Sequence, residues 1–279
     1  MPVSVKTYLL SWRLTWLLAL APFTSCDLQK EIDVDLPVLP AQLVVECYLE
    51  NGQIPRLTVT ETVPYLSNPD PVVPDDVTVR LTLANGQVQE LRYFPGYDRI
   101  TGKAFTHIGL RRLVARPGDT FKLEVSDTKG RRVTGSATMP TRIPIDSLEF
   151  EYNDLPPESR EAYVLTNFQD PAGVGDYYRL QIHRDSISAD PVLDYDVDDR
   201  LNDGTNFTLG TSYIFDPGDR LFVTLYHLDQ PYYLFRQSVN DARNANGNPF
   251  SQPSAIKSTV EGGIGVFTVL SYERKRLNI

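Results

Sequence analysis

The tightest constraint on this chain is a two-residue hydrophobic period that recurs in short runs broken by turn residues. Val77-Thr78-Val79-Arg80-Leu81-Thr82-Leu83 places Val77, Val79, Leu81 and Leu83 on one face of a strand. Asn85-Gly86 follows, a pair that supplies the two positive-φ residues of a tight hairpin turn, and residues 88–94 return. Residues 43–49, 57–60, 120–125 and 131–138 read the same way. Short strands, frequent turns and the lack of a long helical period predict an all-β fold of two consecutive sandwich-like (Ig-like) units. The first is expected over residues 37–140. Met139-Pro140-Thr141-Arg142-Ile143-Pro144 makes the joint, because prolines this dense cannot continue a central strand. The second is expected over residues 141–279, with strands at 146–152, 163–168, 176–183 and 220–227 and a last one entered through the glycines at 262–265. Its one short helix spans about 230–243. Asp229 caps that helix, Pro231 fits the first turn, Tyr232, Phe235, Val239 and Ala242 share a face, and Asn246-Gly247-Asn248-Pro249 ends it. Pro117-Gly118-Asp119 before Phe121, Leu123 and Val125 is echoed by Pro217-Gly218-Asp219 before Leu221, Val223 and Leu225. Pro followed by Gly suits a type II turn feeding a strand in both places.

The first 25 residues are different. They hold no acidic residue and two basic ones, Lys6 and Arg13, then an apolar run over 14–23 and the small residues Thr24-Ser25 before Cys26. That order describes a secretory signal peptide, and the run is too short to span a bilayer, which needs about 20 apolar residues. A buried N-terminal helix is the alternative, disfavoured by the charge asymmetry. Cys26 after the run resembles the lipobox of bacterial lipoproteins, in which the thiol takes diacylglycerol and the new amine is often acylated by palmitate. Phe23 stands where the usual box has Leu, and ordinary cleavage near Ser25 is the competing outcome. Two or more acyl chains make a stable anchor where one does not. Residues 26–36 are charged and read as a tether, and acidic residues behind the cysteine resemble the surface-export signals of some Gram-negative lipoproteins. With Cys26 lipidated, Cys47 has no disulfide partner and reads as a small buried strand residue. Removing residues 1–25 takes away two positive charges, from −9 to −11. That balance argues against nucleic acid and against adsorption to anionic lipid, so attachment rests on lipid.

Catalytic signatures are missing. There is no Gly-x-Ser-x-Gly elbow and no His-Glu-x-x-His. Gly262-Gly263-x-Gly265 leads into a β-pattern, so it reads as backbone turning or close packing, not as a phosphate cradle. None of His107, His183 and His227 has a second ligand at metal-binding spacing. The best ionic candidate is Asp194-Tyr195-Asp196-Val197-Asp198-Asp199 with Asp203. There Asp194, Asp196 and Asp198 are candidate calcium ligands, and a solvated acidic loop is the plainer reading. The run departs from an EF-hand: Asp199 stands where the turn glycine belongs and Thr205 where the bidentate Glu belongs. Among the 15 tyrosines, Tyr177-Tyr178 and Tyr232-Tyr233 cluster. Tyrosine serves binding surfaces and sheets alike; core or sheet packing is the plainer reading of these clusters, and Tyr232 and Tyr233 are the candidates for partner contact.

Together, Cys26 with its tether, Leu43-Val44-Val45-Glu46, Gly118-Asp119-Thr120-Phe121, Ile143-Pro144-Ile145-Asp146-Ser147 and Glu261-Gly262-Gly263-x-Gly265-x-Phe267 resemble the Bacteroidota lipoprotein family called domain of unknown function 4249. Cys47 departs from it, standing where the family has Gly, which implies a local packing change. The resemblance implies an outer-membrane lipoprotein whose genes often sit beside TonB-dependent receptors. It supplies no catalytic residue. The expected function is a lipid-anchored binding or accessory module beside such a receptor, monomeric outside that complex, with no enzyme activity and no cofactor. A calcium-assisted envelope hydrolase and a structural adhesion module are the alternatives.

Overall fold

Alternation in the sequence becomes alternation between core and surface. The computed structural model describes residues 40–279 apart from 65–69, 174 and 246–254. The leader, the tether with Cys26, and the turn expected after the helix lie outside the described residues. β1 (Leu43–Glu50), β2 (Arg56–Glu61), β3 (Val77–Thr82), β4 (Val88–Tyr97), β5 (Ala104–Ile108), β6 (Thr120–Asp127) and β7 (Arg132–Thr138) come first. After the proline joint follow β8 (Ser147–Tyr152), β9 (Ala162–Gln169), β10 (Tyr177–Arg184), β11 (Leu193–Asp198), β12 (Asn206–Gly210), β13 (Arg220–Leu228) and α1 (Gln230–Ala245). β14 (Val260–Glu261) and β15 (Ile264–Asn278) come last. The fold is all-β and sandwich-like, with one helix among the described residues.

One long ladder runs β11-β10-β13-β15-β1-β2-β5-β4-β3-β6-β7-β14, and β12-β9-β8 form a separate sheet. The long ladder turns back on itself at β4. Residues 88–91 of β4 pair with β3, residues 92–97 pair with β5, and a register shift lies between Tyr93 and Gly96. Such an irregularity bends a strand, and it lets two faces close on one core. Val45, Cys47 and Leu49 of β1 and Val59 of β2 there meet Val79, Leu81, Phe121, Leu123 and Val133 from β3, β6 and β7. Burial pushes the Cys47 thiol up to about 12, so it is an inert filler. The second core packs Tyr178, Leu180 and Ile182 of β10 and Leu221, Val223 and Leu225 of β13 against Val164, Phe168, Phe207 and Leu209 of β9 and β12.

The boundary expected at 140/141 needs correction at the far end of the chain. Val260, Phe267 and Val269 lie in the core built by β1–β7, not in the second. β15 serves both halves: residues 264–270 run parallel to β1, and residues 271–278 run antiparallel to β13. A parallel neighbour cannot come from a hairpin, so β1 takes a strand from the opposite end of the sequence. Glycines make the insertion fit. A Cβ on Gly265 would overlap the Val45 carbonyl oxygen, one on Gly262 would overlap that of Arg132, and one on Gly263 would sit 2.6 Å from that of Leu43. Gly265 also holds φ at 133°. The motif therefore marks close backbone approach.

The turns resolve two further expectations. After β3, Gly86 alone has positive φ, its N–H donates to Leu83 O (2.8 Å), and Leu83 N–H donates to Gln87 O (2.8 Å). This is a three-residue loop ending in a left-handed glycine, not the tighter turn read from Asn85-Gly86. The Pro-Gly-Asp echo is real in hydrogen bonds. Asp119 N–H donates to Arg116 O and Asp219 N–H to Asp216 O, while each aspartate carboxylate accepts from the N–H of the turn's first residue. Gly118 pairs with Met139 O as Gly218 pairs with Ile279 O. Acidic residues 194–198, read as a loop, instead form strand β11, paired with β10 from Tyr177↔Asp198 to Ile182↔Leu193.

Arg131 ties the first half's edge. It donates to Glu61 of β2, to Asp127 Oδ2 (2.6 Å) and to Ala41 O (3.0 Å). The hydrogen bond from Arg131 holds the Glu61 carboxyl below the usual range. A depressed carboxylate adds stability above its unfolded pKa of about 4.3 and loses it as pH falls through the folded value. Arg131→Ala should therefore cost about 2 kcal/mol at pH 7 and markedly less near pH 3, read by urea denaturation at both pH values. Gly265→Ala should cost more than about 3 kcal/mol, because the overlap is with backbone, and differential scanning calorimetry would record it as a lower or lost transition.

Candidate functional site

Helix α1 begins where expected and runs one half-turn further. Tyr232 N–H donates to Asp229 Oδ1 at 2.8 Å, the bond of an N-cap, and Arg243 sits in the last turn, where a cation suits the helix dipole. Its apolar face lies on the sheet. Tyr232 and Tyr233 are buried there with Tyr226, Leu228 and Val266, and the partly buried Tyr48, Tyr177 and Phe235 close the cluster. Tyr232 and Tyr233, candidates for partner contact, are thus packing residues, in line with the plainer reading. The helix has one apolar stripe, and the sheet covers it.

The carboxylates of β11 are also occupied from within. Asp194, Asp196 and Asp198 share a strand face, as period two demands. Arg179 of β10 grips Asp194 through two bonds of 2.7 and 2.6 Å. Arg236 of α1 grips Asp196 at 2.8 Å and reaches Asp194 at 3.1 Å. Asp198 accepts from Arg200 (2.9 Å) and Tyr233 Oη (3.2 Å). Burial would raise the Asp194 carboxyl, but the Arg179 bond together with the charges of Arg179 and Arg236 holds it low. At Asp196 burial wins over Arg236 and its carboxyl is raised. A calcium site on these three is corrected by this geometry, because guanidinium groups fill the oxygen positions a cation would take.

A different trio comes together. Asp170 follows β9, Asp176 precedes β10 and Asp199 follows β11, so three strand ends deliver three buried carboxylates whose ligand oxygens lie within 4.8 Å of one another. Asp170 accepts from Tyr178 Oη and from Gly204 N–H (2.8 Å). Asp199 Oδ2 is buried with no hydrogen-bond partner. His227 Nδ1 lies 2.6 Å from Thr141 O and Nε2 lies 2.8 Å from Asp176 Oδ1. A carbonyl only accepts, so the Nδ1 contact orients the ring with an N–H toward Thr141, and Nε2 faces the Asp176 carboxylate. Burial, against the pull of His227, raises the Asp176 carboxyl. His107 and His183 are buried elsewhere, and burial lowers both. Asp170 and Asp176 carry no signal in the sequence, because nothing in the spacing links them to each other or to His227.

A third feature faces outward. Between the β3–β4 turn and residues 110–119 lies a groove of about 1030 Å³. Leu113 and Ala115 plug the core below it, and Leu113 N–H to Gln53 O (2.7 Å) with Ala115 N–H to Asn51 Oδ1 (3.0 Å) fixes the segment. Alternation then turns Arg112, Val114 and Arg116 outward, beside exposed Leu110 and Arg111 and opposite Val88 and Arg92. Four arginines against Glu90 and Asp119 leave two positive charges in excess on a chain of net charge −9. Arg111-Arg112 is the one signal of this segment visible in the sequence.

The β11–α1 ion pairs have a thermodynamic signature. Arg236→Leu leaves Asp196 buried and unpaired and should cost about 3 kcal/mol. Asp196→Asn added to it should restore much of that loss, and a double-mutant cycle by chemical denaturation would read the coupling.

A family model described as "Domain of unknown function (DUF4249)" matches residues 29–276. No curated protein matches the chain. Among solved structures, a DUF4785 family protein from Legionella pneumophila is 16% identical, with 66% of this chain and 52% of that chain covered and a TM-score of 0.23. The chain thus spans about half the length of that protein, and so low a score defines no shared fold. The family match covers most of the sequence and the all-β body, and the chain belongs to the DUF4249 family.

Proposed function

We propose that this chain is a cell-envelope lipoprotein, anchored in the outer membrane through lipid on Cys26, that binds an acidic, partly apolar segment of a TonB-dependent receptor. The observation that carries the binding part is the arginine groove. Its positive excess opposes the sign of the whole chain, and its exposed Val88, Leu110 and Val114 add apolar area. Interfaces favour arginine together with apolar anchors. The anchoring part rests on the basic start, short apolar run and Cys26, and on what the family resemblance implies. Among the described residues, no helix is long and apolar enough to cross a membrane.

Mass spectrometry of the mature N-terminal peptide from envelope fractions tests the anchor. An acylated Cys26, with Cys26→Ala lost from membranes, is the expected result, and an unmodified N-terminus in the soluble fraction sinks it. In the anchored protein, Arg92→Glu with Arg111→Glu should cut co-purification with the co-expressed receptor at least tenfold. Unchanged co-purification would remove the groove from the reading.

A further inference from the structure

We propose that Asp170, Asp176 and Asp199 bind one calcium ion, at a place distinct from both the groove and the acidic row of β11. Three carboxylates gathered at the ends of β9, β10 and β11 repel one another, and burial strengthens that repulsion. Tyr178 Oη and Gly204 N–H answer Asp170, and His227 answers Asp176. Asp199 is 2% exposed, yet its Oδ2 has no donor. A buried carboxylate oxygen left without a partner costs free energy unless something positive meets it. Metal ligands of one calcium stand 2.3–2.6 Å from the ion, so two of them lie at most about 5 Å apart. The 4.8 Å limit on the trio meets that condition.

The donor set selects the metal class. All three residues offer hard oxygens, and His227 is turned away from ligation because its Nδ1 holds Thr141 O while its Nε2 holds Asp176. A histidine bonding a ligating carboxylate is an outer-shell orienter. Hard oxygens without nitrogen or sulfur suit calcium over zinc. The ion would join segment 199–205 to residues 170–173 and to Asp176; the first two already touch: Gly204 N–H binds Asp170, Gly173 N–H binds Asp203 Oδ1 (2.8 Å), and a Cβ on Gly204 would meet that of Ala172 at 2.7 Å.

Terbium and calcium serve as probes on the full chain, purified in detergent and stripped with chelator. Tyr178, whose hydroxyl touches Asp170, should sensitise terbium emission, calcium should compete it away, and calcium should raise the thermal midpoint by several degrees. Asp199→Asn should weaken calcium binding at least tenfold, and Asp176→Asn should do the same. Both remove a repelling charge, so far-UV circular dichroism should show the fold retained. The exposed Asp190→Asn should bind as the parent does. Absent emission with no midpoint shift would overturn the site, as would parental affinity in both variants. Zinc raising the midpoint where calcium does not would overturn the assignment of the ion.

Discussion

Everything in this molecule hangs on how β15 is held. Its first half gives β1 a parallel neighbour, and its second half gives β13 an antiparallel one. The two faces of the same strand feed different clusters. Phe267 and Val269 enter the core of β1–β7, while Val266, Leu270 and Tyr272 meet the cluster under α1. Tyr272 also donates to Glu50 Oε2 at 3.1 Å, linking β15 back to the end of β1. The glycines that admit the strand are therefore a condition for both cores, and no side chain larger than hydrogen fits against the Val45 carbonyl.

The strands with apolar alternation were legible in the sequence because their faces are decided by burial alone. β3 needs no partner to be recognised: Val79 and Leu81 are fully buried where the pattern puts them. β11 could not be recognised that way. Its alternating aspartates look like solvated loop until Arg179 and Arg236, from a neighbouring strand and from the helix, neutralise them. The extension of β15 through Glu273-Arg274-Lys275-Arg276 hides for the same reason, since its pairing with β13 is backbone chemistry that charge does not reveal. Tyr232 and Tyr233 show the limit of residue type, because tyrosine serves surface and core equally and only the docking of α1 decides. The Asp170, Asp176 and Asp199 trio lies beyond local reading altogether, being assembled by three strand ends.

Charge is sorted in space rather than spread. In the second half, carboxylates are gathered at β11 and at the strand ends beside it, most of them already engaged. In the first half, arginines crowd one groove with few acids opposite. The chain's net acidity thus says little about what either surface attracts. A partner meeting the groove would sense positive charge at short range, within the roughly 8 Å over which salt leaves a field intact.

The parallel pairing of β1 with β15 has a mechanical meaning. A pull on the amino-terminal side of β1, opposed at the carboxy-terminal side of β15, drags the two strands in opposite directions along their lengths. The ladder from Val44↔Ile264 to Glu50↔Leu270 then carries the load as shear, every bond at once. Antiparallel strands pulled from one end would instead open bond by bond, like a zip. A body loaded between the start of β1 and the end of β15 is therefore built to resist traction along the length of those two strands.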